Sequence, residues 1–338
     1  MFGIITFIAA IAVGFIALSL SADRLIEVAS TLAARLGMST LIIGMTIVAF
    51  GTSAPELLVS FIASYSNTPG IAVGNALGSN IINTGLVLGI CGIIYPLTIS
   101  HRVLTRELPL LCLISVFTLV LMLDGFLNQT DGMMLATGLL AYCYYLTRHS
   151  DTNNADNTEV VILPITTFRA ATESLILLMV LLGSSKLLVW GATELARSFG
   201  ISDVIIGLTV IAFGTSLPEL AAGLASARKG MFDMLLAMII GSNIFNLLGV
   251  LAFPGIVGNG IELDIAIVHR DGFAMLILTL VLAFCALTSM KHHKPVYSAE
   301  GAVLSRRSFV CNVPGYKSWF LLMSLAGYFG LLIFSITA

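Results

Sequence analysis

Apolar runs long enough to cross a bilayer follow one another along the chain, separated by short polar stretches. About 20 apolar residues span the hydrocarbon core. On that rule the pattern predicts ten spans. The first five are Phe2–Leu20 (continuing as helix towards Leu36), Thr40–Ala63, Gly70–Leu97, Leu108–Leu123 and Gly132–Leu146. The second five are Ala171–Ala192, Val204–Ala227, Phe232–Val257, Gly272–Leu287 and Ser318–Ile336. Between the two sets, Arg148 to Arg169 is rich in Asn, Asp and Thr and is too short to fold alone. It reads as a solvated loop.

The two sets are copies. Gly44–Leu57 reads GMTIVAFGTSAPEL and Gly207–Leu220 reads GLTVIAFGTSLPEL. Ten of fifteen positions are identical between 44–58 and 207–221, at a constant offset of 163. The same offset relates Ser79 to Ser242 and Asn83 to Asn246. Internal repeats of this kind mark secondary transporters. Five spans per copy is an odd number, so the copies are expected to lie in opposite orientations. The expected fold is thus an all-α membrane protein of ten transmembrane helices in two inverted five-helix repeats. Residues 1–147 form the first repeat, with its motif region at 44–89; 148–170 is a connecting loop; 171–338 form the second, with its motif region at 207–252.

Composition agrees with the pattern. Hydrophobic residues make up 58% and charged ones 10%, against about 25% charged in soluble domains. Net charge is -2, and no basic tract suggests nucleic acid. Loops after the odd-numbered spans hold 13 of the 16 Lys and Arg residues. By the positive-inside rule those loops, including 148–170, are cytoplasmic and both termini lie on the outer side. The connector with His292 and His293 is then a cytoplasmic loop. The five cysteines are scattered and show neither a disulfide framework nor a C-x-x-C metal pair. Nothing basic precedes the first apolar run, so it reads as a retained helix rather than a leader.

Against this apolar background Glu56 and Glu219 stand out, because a carboxylate in hydrocarbon is costly and marks a functional site. Pro55 and Pro218 each lack an N–H, which frees the carbonyls of Gly51 and Gly214, so helices 2 and 7 are expected to break there. Non-helical backbone at membrane depth persists only where protein or a polar cavity covers it. Thr52, Ser53 and the freed carbonyls therefore offer oxygens beside Glu56, and Thr215 and Ser216 do so beside Glu219. The third and eighth spans carry GSNIIN and GSNIFN, in which Ser79 and Asn83, like Ser242 and Asn246, share a helix face. Gly78 and Gly241 allow another helix to approach closely. Asn80 and Asn243 point elsewhere on their helices and fit simple interhelical bonding. Hard cations such as Ca²⁺ take about 6–8 oxygen ligands, and the spans hold no clustered Cys or His for a softer metal. Two carboxylates balance one Ca²⁺, or two Na⁺ or protons.

The paired G-T-S-x-P-E and G-S-N-I-x-N motifs resemble the two alpha repeats of the calcium/cation antiporter superfamily, which includes the sodium/calcium exchangers. S-A-D-R-L at the first span and R-E-L-P-L before the fourth resemble its bacterial inner-membrane YrbG-like branch. The resemblance implies that Glu56 and Glu219 are the central Ca²⁺ carboxylates. Thr52 and Thr215 would give backbone carbonyls to Ca²⁺ and help bind Na⁺. Ser53, Ser79, Ser216 and Ser242, with the carbonyls of Ala49 and Ala212, would line Na⁺ sites, and Asn83 and Asn246 would complete the middle. It further implies Ca²⁺/Na⁺ exchange by alternating access in a bacterial inner membrane, with the first and sixth helices sliding. No cofactor and no protein partner is expected beyond the ions and the lipid bilayer. Two departures stand out: Asn246 where some relatives carry Asp, which argues against K⁺ co-transport, and Ala237-Met238 where the first repeat keeps Gly74-Asn75.

The nearest rival is a proton-coupled cation exchanger. A channel fits duplicated broken helices less well. An intramembrane hydrolase would need a general base beside Ser53 or Ser216, and no intramembrane His or Lys lies near the motifs, so an enzyme is not expected.

Overall fold

The structure, a computed structural model, describes residues 2–66, 69–148, 162–200, 212–257, 260–264, 267–292, 296–297, 303–305 and 309–337. Its helices are α1 (Phe2–Leu36), α2 (Thr40–Tyr65), α3 (Pro69–Ile94), α4 (Val103–Met122), α5 (Gln129–Arg148), α6 (Thr167–Ser198), α7 (Leu217–Arg228), α8 (Phe232–Ile256), α9 (Ile267–Leu287) and α10 (Gly315–Thr337). Among the described residues, eight are long and apolar enough to cross a membrane. The two that fall short have evident causes. α5 begins Gln-Thr-Asp and carries Tyr142, Tyr144 and Tyr145, which dilute its apolar character. α7 has 12 residues, and the stretch 201–211, which holds most of the upstream part of the expected span Val204–Ala227, lies outside the described residues.

The two proline motifs do not behave alike. The expected break in helix 2 is absent: α2 stays helical through Pro55. A proline costs the helix one hydrogen bond and a local clash, and packing of α2 along α8 holds the helix on both sides. The irregularity lies upstream instead, as a π-turn over Gly44–Val48. In the second copy the chain does leave the helix. A helical turn at Ala212–Gly214 gives way at Thr215 and Ser216, and α7 starts at Leu217. Pro218 then sits in the first turn, where its missing N–H is no loss. The carbonyl of Gly214 accepts a hydrogen bond from Ser185 Oγ of α6 at 3.1 Å.

Further π-turns interrupt α3 at Asn83–Val87 and α8 at Asn246–Val250, again 163 residues apart, and open α4 and α9 at Val103–Glu107 and Ile267–Gly272. Such turns leave backbone groups out of register and often sit at functional sites. Here Ser60 Oγ captures the carbonyl of Val250 at 2.6 Å.

α1 and α6 form an antiparallel pair on the outside of the bundle. A Cβ on Gly14 would meet the backbone of Leu188 at 2.9 Å, and one on Gly191 would meet the carbonyl of Phe7 at 2.9 Å. At one end of this pair Arg24 bonds Glu173 at 2.7 Å, Lys229 bonds Glu27 at 2.8 Å and Arg228 pairs with Asp23 at 2.5 Å. This network ties the end of α7 to α1, and α1 to α6. α8 is the centre of the molecule and is buried along most of its length. Gly44 and Gly241 let α2 and α8 run side by side: a Cβ on Gly241 would lie 2.9 Å from Ala49 Cβ, and one on Gly44 would lie 3.0 Å from Ala237 Cβ. No described atom lies within 4 Å of a Cβ built on Gly78.

The all-α expectation needs one correction, since short strands join the helices. β1 (Leu97–Ile99), β2 (Phe126–Leu127), β3 (Ile261–Glu262), β4 (Met290–His292), β5 (Val296–Tyr297), β6 (Val303–Ser305) and β7 (Phe309–Val313) are all antiparallel ribbons. The connector read as a plain loop thus contributes β4 to β7, with His292 in β4; His293 lies outside the described residues. β7, just before α10, pairs with β1 after α3, while β2, just before α5, pairs with β3 after α8. Each half therefore supplies a strand to the other in the same manner.

Candidate cation site

The two carboxylates end up buried in the middle of the bundle: Glu56 is 3% exposed and Glu219 1%. Each sits one residue after its proline, on α2 and in the first turn of α7. The start of a helix carries partial positive charge, which favours an anion there. The Glu219 carboxylate lies beside Thr52 of the first copy and Ser242 of α8. Thr52 Oγ1 also bonds the carbonyl of Ala49 at 3.2 Å. Among the described residues no ion pair involves Glu56 or Glu219.

α3 and α8 cross at their Ser-Asn motifs. Ser53 Oγ and Ser242 Oγ are 2.8 Å apart. Asn83 Nδ2 donates to Ser242 Oγ and to Asn243 Oδ1, both at 3.3 Å. In the mirrored contact Asn246 Nδ2 donates to Asn80 Oδ1 at 3.0 Å. Asn80 Nδ2 bonds the carbonyl of Asn243 at 3.1 Å, and Asn243 Nδ2 bonds Thr84 Oγ1 at 2.9 Å. The side-chain amide of Asn83 thereby donates twice, and that of Asn246 once, to the opposite helix.

What remains is a set of oxygens. Glu56 Oε2, Glu219 Oε2, Asn83 Oδ1, Asn246 Oδ1 and Ser216 Oγ are buried without a hydrogen-bond partner. Burying such groups unpaired costs free energy that a bound cation offsets. The two Glu and two Asn oxygens are related in pairs by the 163-residue repeat. Among the described residues no group of three or more His, Cys, Asp and Glu gathers elsewhere as a rival metal site.

The remaining residues singled out by spacing fall as follows. Ala49, Ser53, Ser79 and Ser216 are buried. Thr215 is exposed, at the break before α7, whereas its counterpart Thr52 is buried. Ala212 is placed only through its backbone, at the start of the helical turn before the break. The copies thus differ in local structure despite near-identical sequence.

Residues 6–148 and 173–337 match the family described as sodium/calcium exchanger protein. The chain belongs to this family. It is 40% identical over 282 residues to the inner membrane protein YrbG of Escherichia coli, covering 80% of this chain and 86% of that one. Against the sodium/calcium exchanger MaX1 of Methanosarcina acetivorans it is 29% identical over 283 residues, 72% of this chain and 81% of the relative. In three dimensions it superposes on the sodium-calcium exchanger NCX_Mj, soaked with 10 mM Na⁺ and zero Ca²⁺. The TM-score is 0.79 at 28% identity, over 97% of this chain and 99% of that one. The protein is therefore an integral membrane protein of a family of cation antiporters, not of an enzyme family.

Within this exchanger, Asn80, Asn243 and Thr84 have a larger part than helix-face reasoning assigned them. The amides of Asn80 and Asn243 fix the rotamers of Asn246 and Asn83 and so aim the unpaired oxygens. Duplication of both Asn residues within each G-S-N-I-x-N motif was the available signal. Ser185 on α6 and Ser60 on α2 also escaped notice, because neither is repeated in the other half.

Proposed function

We propose that this exchanger carries Ca²⁺ against Na⁺ by alternating access, with both cations competing for one site between α2, α3, α7 and α8. The observation that carries the reading is the set of unpartnered buried oxygens, two carboxylate and two amide, related by the repeat. Glu56 and Glu219 are the central Ca²⁺ carboxylates. Backbone carbonyls of Thr52 and Thr215 join them, and Ser53, Ser79, Ser216 and Ser242, with the carbonyls of Ala49 and Ala212, receive Na⁺. Asn83 and Asn246 close the middle. The likeness to MaX1 and NCX_Mj, both sodium/calcium exchangers, supports Na⁺ as the counter-ion.

The protein is read as ten transmembrane helices in two inverted repeats, 1–147 and 171–338. The antiparallel α1–α6 pair, the π-turns 163 residues apart and the exchanged strand pairs β1–β7 and β2–β3 support that reading. In this topology the loop 148–170 is cytoplasmic, both termini are outside, and the membrane is a bacterial inner membrane. Coupling follows from electrostatics. An empty site buries two uncompensated carboxylates, and such a site crosses the occluded state only when Ca²⁺ or Na⁺ fills it. α1 and α6 slide past this core to change its access.

Proteoliposomes loaded with Na⁺ and placed in Na⁺-free medium with ⁴⁵Ca²⁺ test the coupling. Uptake is expected to need the outward Na⁺ gradient and to be indifferent to an imposed pH gradient. Uptake driven by the pH gradient alone would move the protein to the proton-coupled class and overturn the Na⁺ assignment.

A further inference from the structure

A second concave feature lies on the membrane-facing side, between α4 and α5. It encloses about 690 Å³, within the usual range for small-molecule pockets. Its walls are apolar, from Leu110, Ile114, Phe117 and Gly138, and its floor is Leu248 of α8 beside Tyr142. A smaller cavity of about 370 Å³ continues it beyond Phe117 towards Met133 and Met134.

One end of the groove is charged. Arg106 lines its mouth and is exposed. Its neighbour Arg102 is paired with Glu107 at 3.4 Å, but no carboxylate among the described residues pairs with Arg106. Along α4, Arg106 to Phe117 is about 16 Å at 1.5 Å per residue. That is half of the ~30 Å hydrocarbon core, the depth of one leaflet. A cation at the interface above an apolar channel one leaflet deep matches a phospholipid, phosphate above and acyl chain below.

We propose that the α4–α5 groove is a phospholipid site, with the phosphate on Arg106 and one acyl chain lying against Tyr142 and Leu248. An acyl chain gains little by leaving bulk lipid for an apolar groove, so selectivity rests on the charge-assisted phosphate contact. The site also touches the ion-binding centre. Leu248 belongs to the π-turn Asn246–Val250, and Tyr142 meets the ring of Phe245 edge-on at 6.0 Å. The bound chain therefore braces the turn that begins with Asn246. The proposal does not depend on which cations are carried.

Native mass spectrometry of the delipidated full chain, titrated with phosphatidylglycerol or with diacylglycerol of the same chains, tests it. Wild type is expected to retain one phosphatidylglycerol and no diacylglycerol. Arg106→Ala should weaken retention about fivefold, the order of one interfacial arginine. Ala141→Phe, which fills the groove, should remove it. Arg106 is exposed, so its replacement leaves the fold intact and carries the test even if Ala141→Phe misfolds. Retention of phosphatidylglycerol at wild-type strength by Arg106→Ala, or equal retention of diacylglycerol by wild type, would overturn the proposal.

Discussion

Glu219→Gln is expected to abolish Ca²⁺ transport while making the cation-free protein more stable, and Glu56→Gln to do the same. Gln keeps the volume and one carbonyl oxygen but removes the charge. Affinity of oxygen sites for Ca²⁺ is tuned over orders of magnitude by ligand charge, so one carboxylate fewer of two should weaken binding at least about 100-fold. Stability should move the other way. With no cation bound, Glu56 and Glu219 lie buried with no positive partner among the described residues, and an uncompensated buried charge is destabilising. Relieving one should raise the thermal midpoint in cation-free buffer by about 2–5 °C. Saturating Ca²⁺ should then stabilise wild type, by about 2.7 kcal/mol at 100 times Kd, and leave both variants unmoved. A thermal-shift series with and without Ca²⁺ checks this. A variant that loses transport and is also less stable without cations would indicate a structural lesion instead.

The second large effect concerns the α2–α8 crossing. A Cβ at Gly241 would lie 3.0 Å from the Met45 Cα and carbonyl oxygen and 2.9 Å from Ala49 Cβ. Backbone cannot yield as a side-chain tip can, so the helices must separate. Gly241→Ala is expected to cost about 1–3 kcal/mol, and Gly241→Leu more than about 3 kcal/mol. Ser242 follows directly and contacts Ser53 at 2.8 Å, so separation also pulls the two halves of the candidate site apart. Transport by Gly241→Ala should therefore fall further than its folded fraction. Gly327→Ala on α10, where no described atom lies within 4 Å of the added Cβ, is the control and should leave stability and transport unchanged. Detergent thermal stability with ⁴⁵Ca²⁺ uptake in liposomes reads both effects.

The sequence made some of this legible and concealed the rest for physical reasons. The duplicated motifs were visible because their spacing is ungapped, and burial of Glu56 and Glu219 follows from their place in apolar runs. Continuity of α2 through Pro55 was not visible. A proline fixes a local cost, but whether the helix breaks depends on neighbours, and α8 supports α2 where nothing in the sequence says so. The exposure of Thr215 beside the burial of Thr52 escapes sequence for the same reason: two nearly identical motifs settle into different packing environments. The cross-bonding of Asn80 with Asn243 and Asn246 depends on two helices crossing at their Asn residues, which helix-face spacing within one span does not contain. Strands of two to five residues, such as β2 and β7, are too short to leave an alternating pattern.

The central claim is that two carboxylates and two amides form one cation site shared by Ca²⁺ and Na⁺. Calorimetric titration of Ca²⁺ into the purified protein in Na⁺-free buffer tests it most directly. Saturable Ca²⁺ binding is predicted, weakened competitively by added Na⁺ and lost in both Glu56→Gln and Glu219→Gln. Binding of wild-type strength in both variants, or binding indifferent to Na⁺, would contradict it.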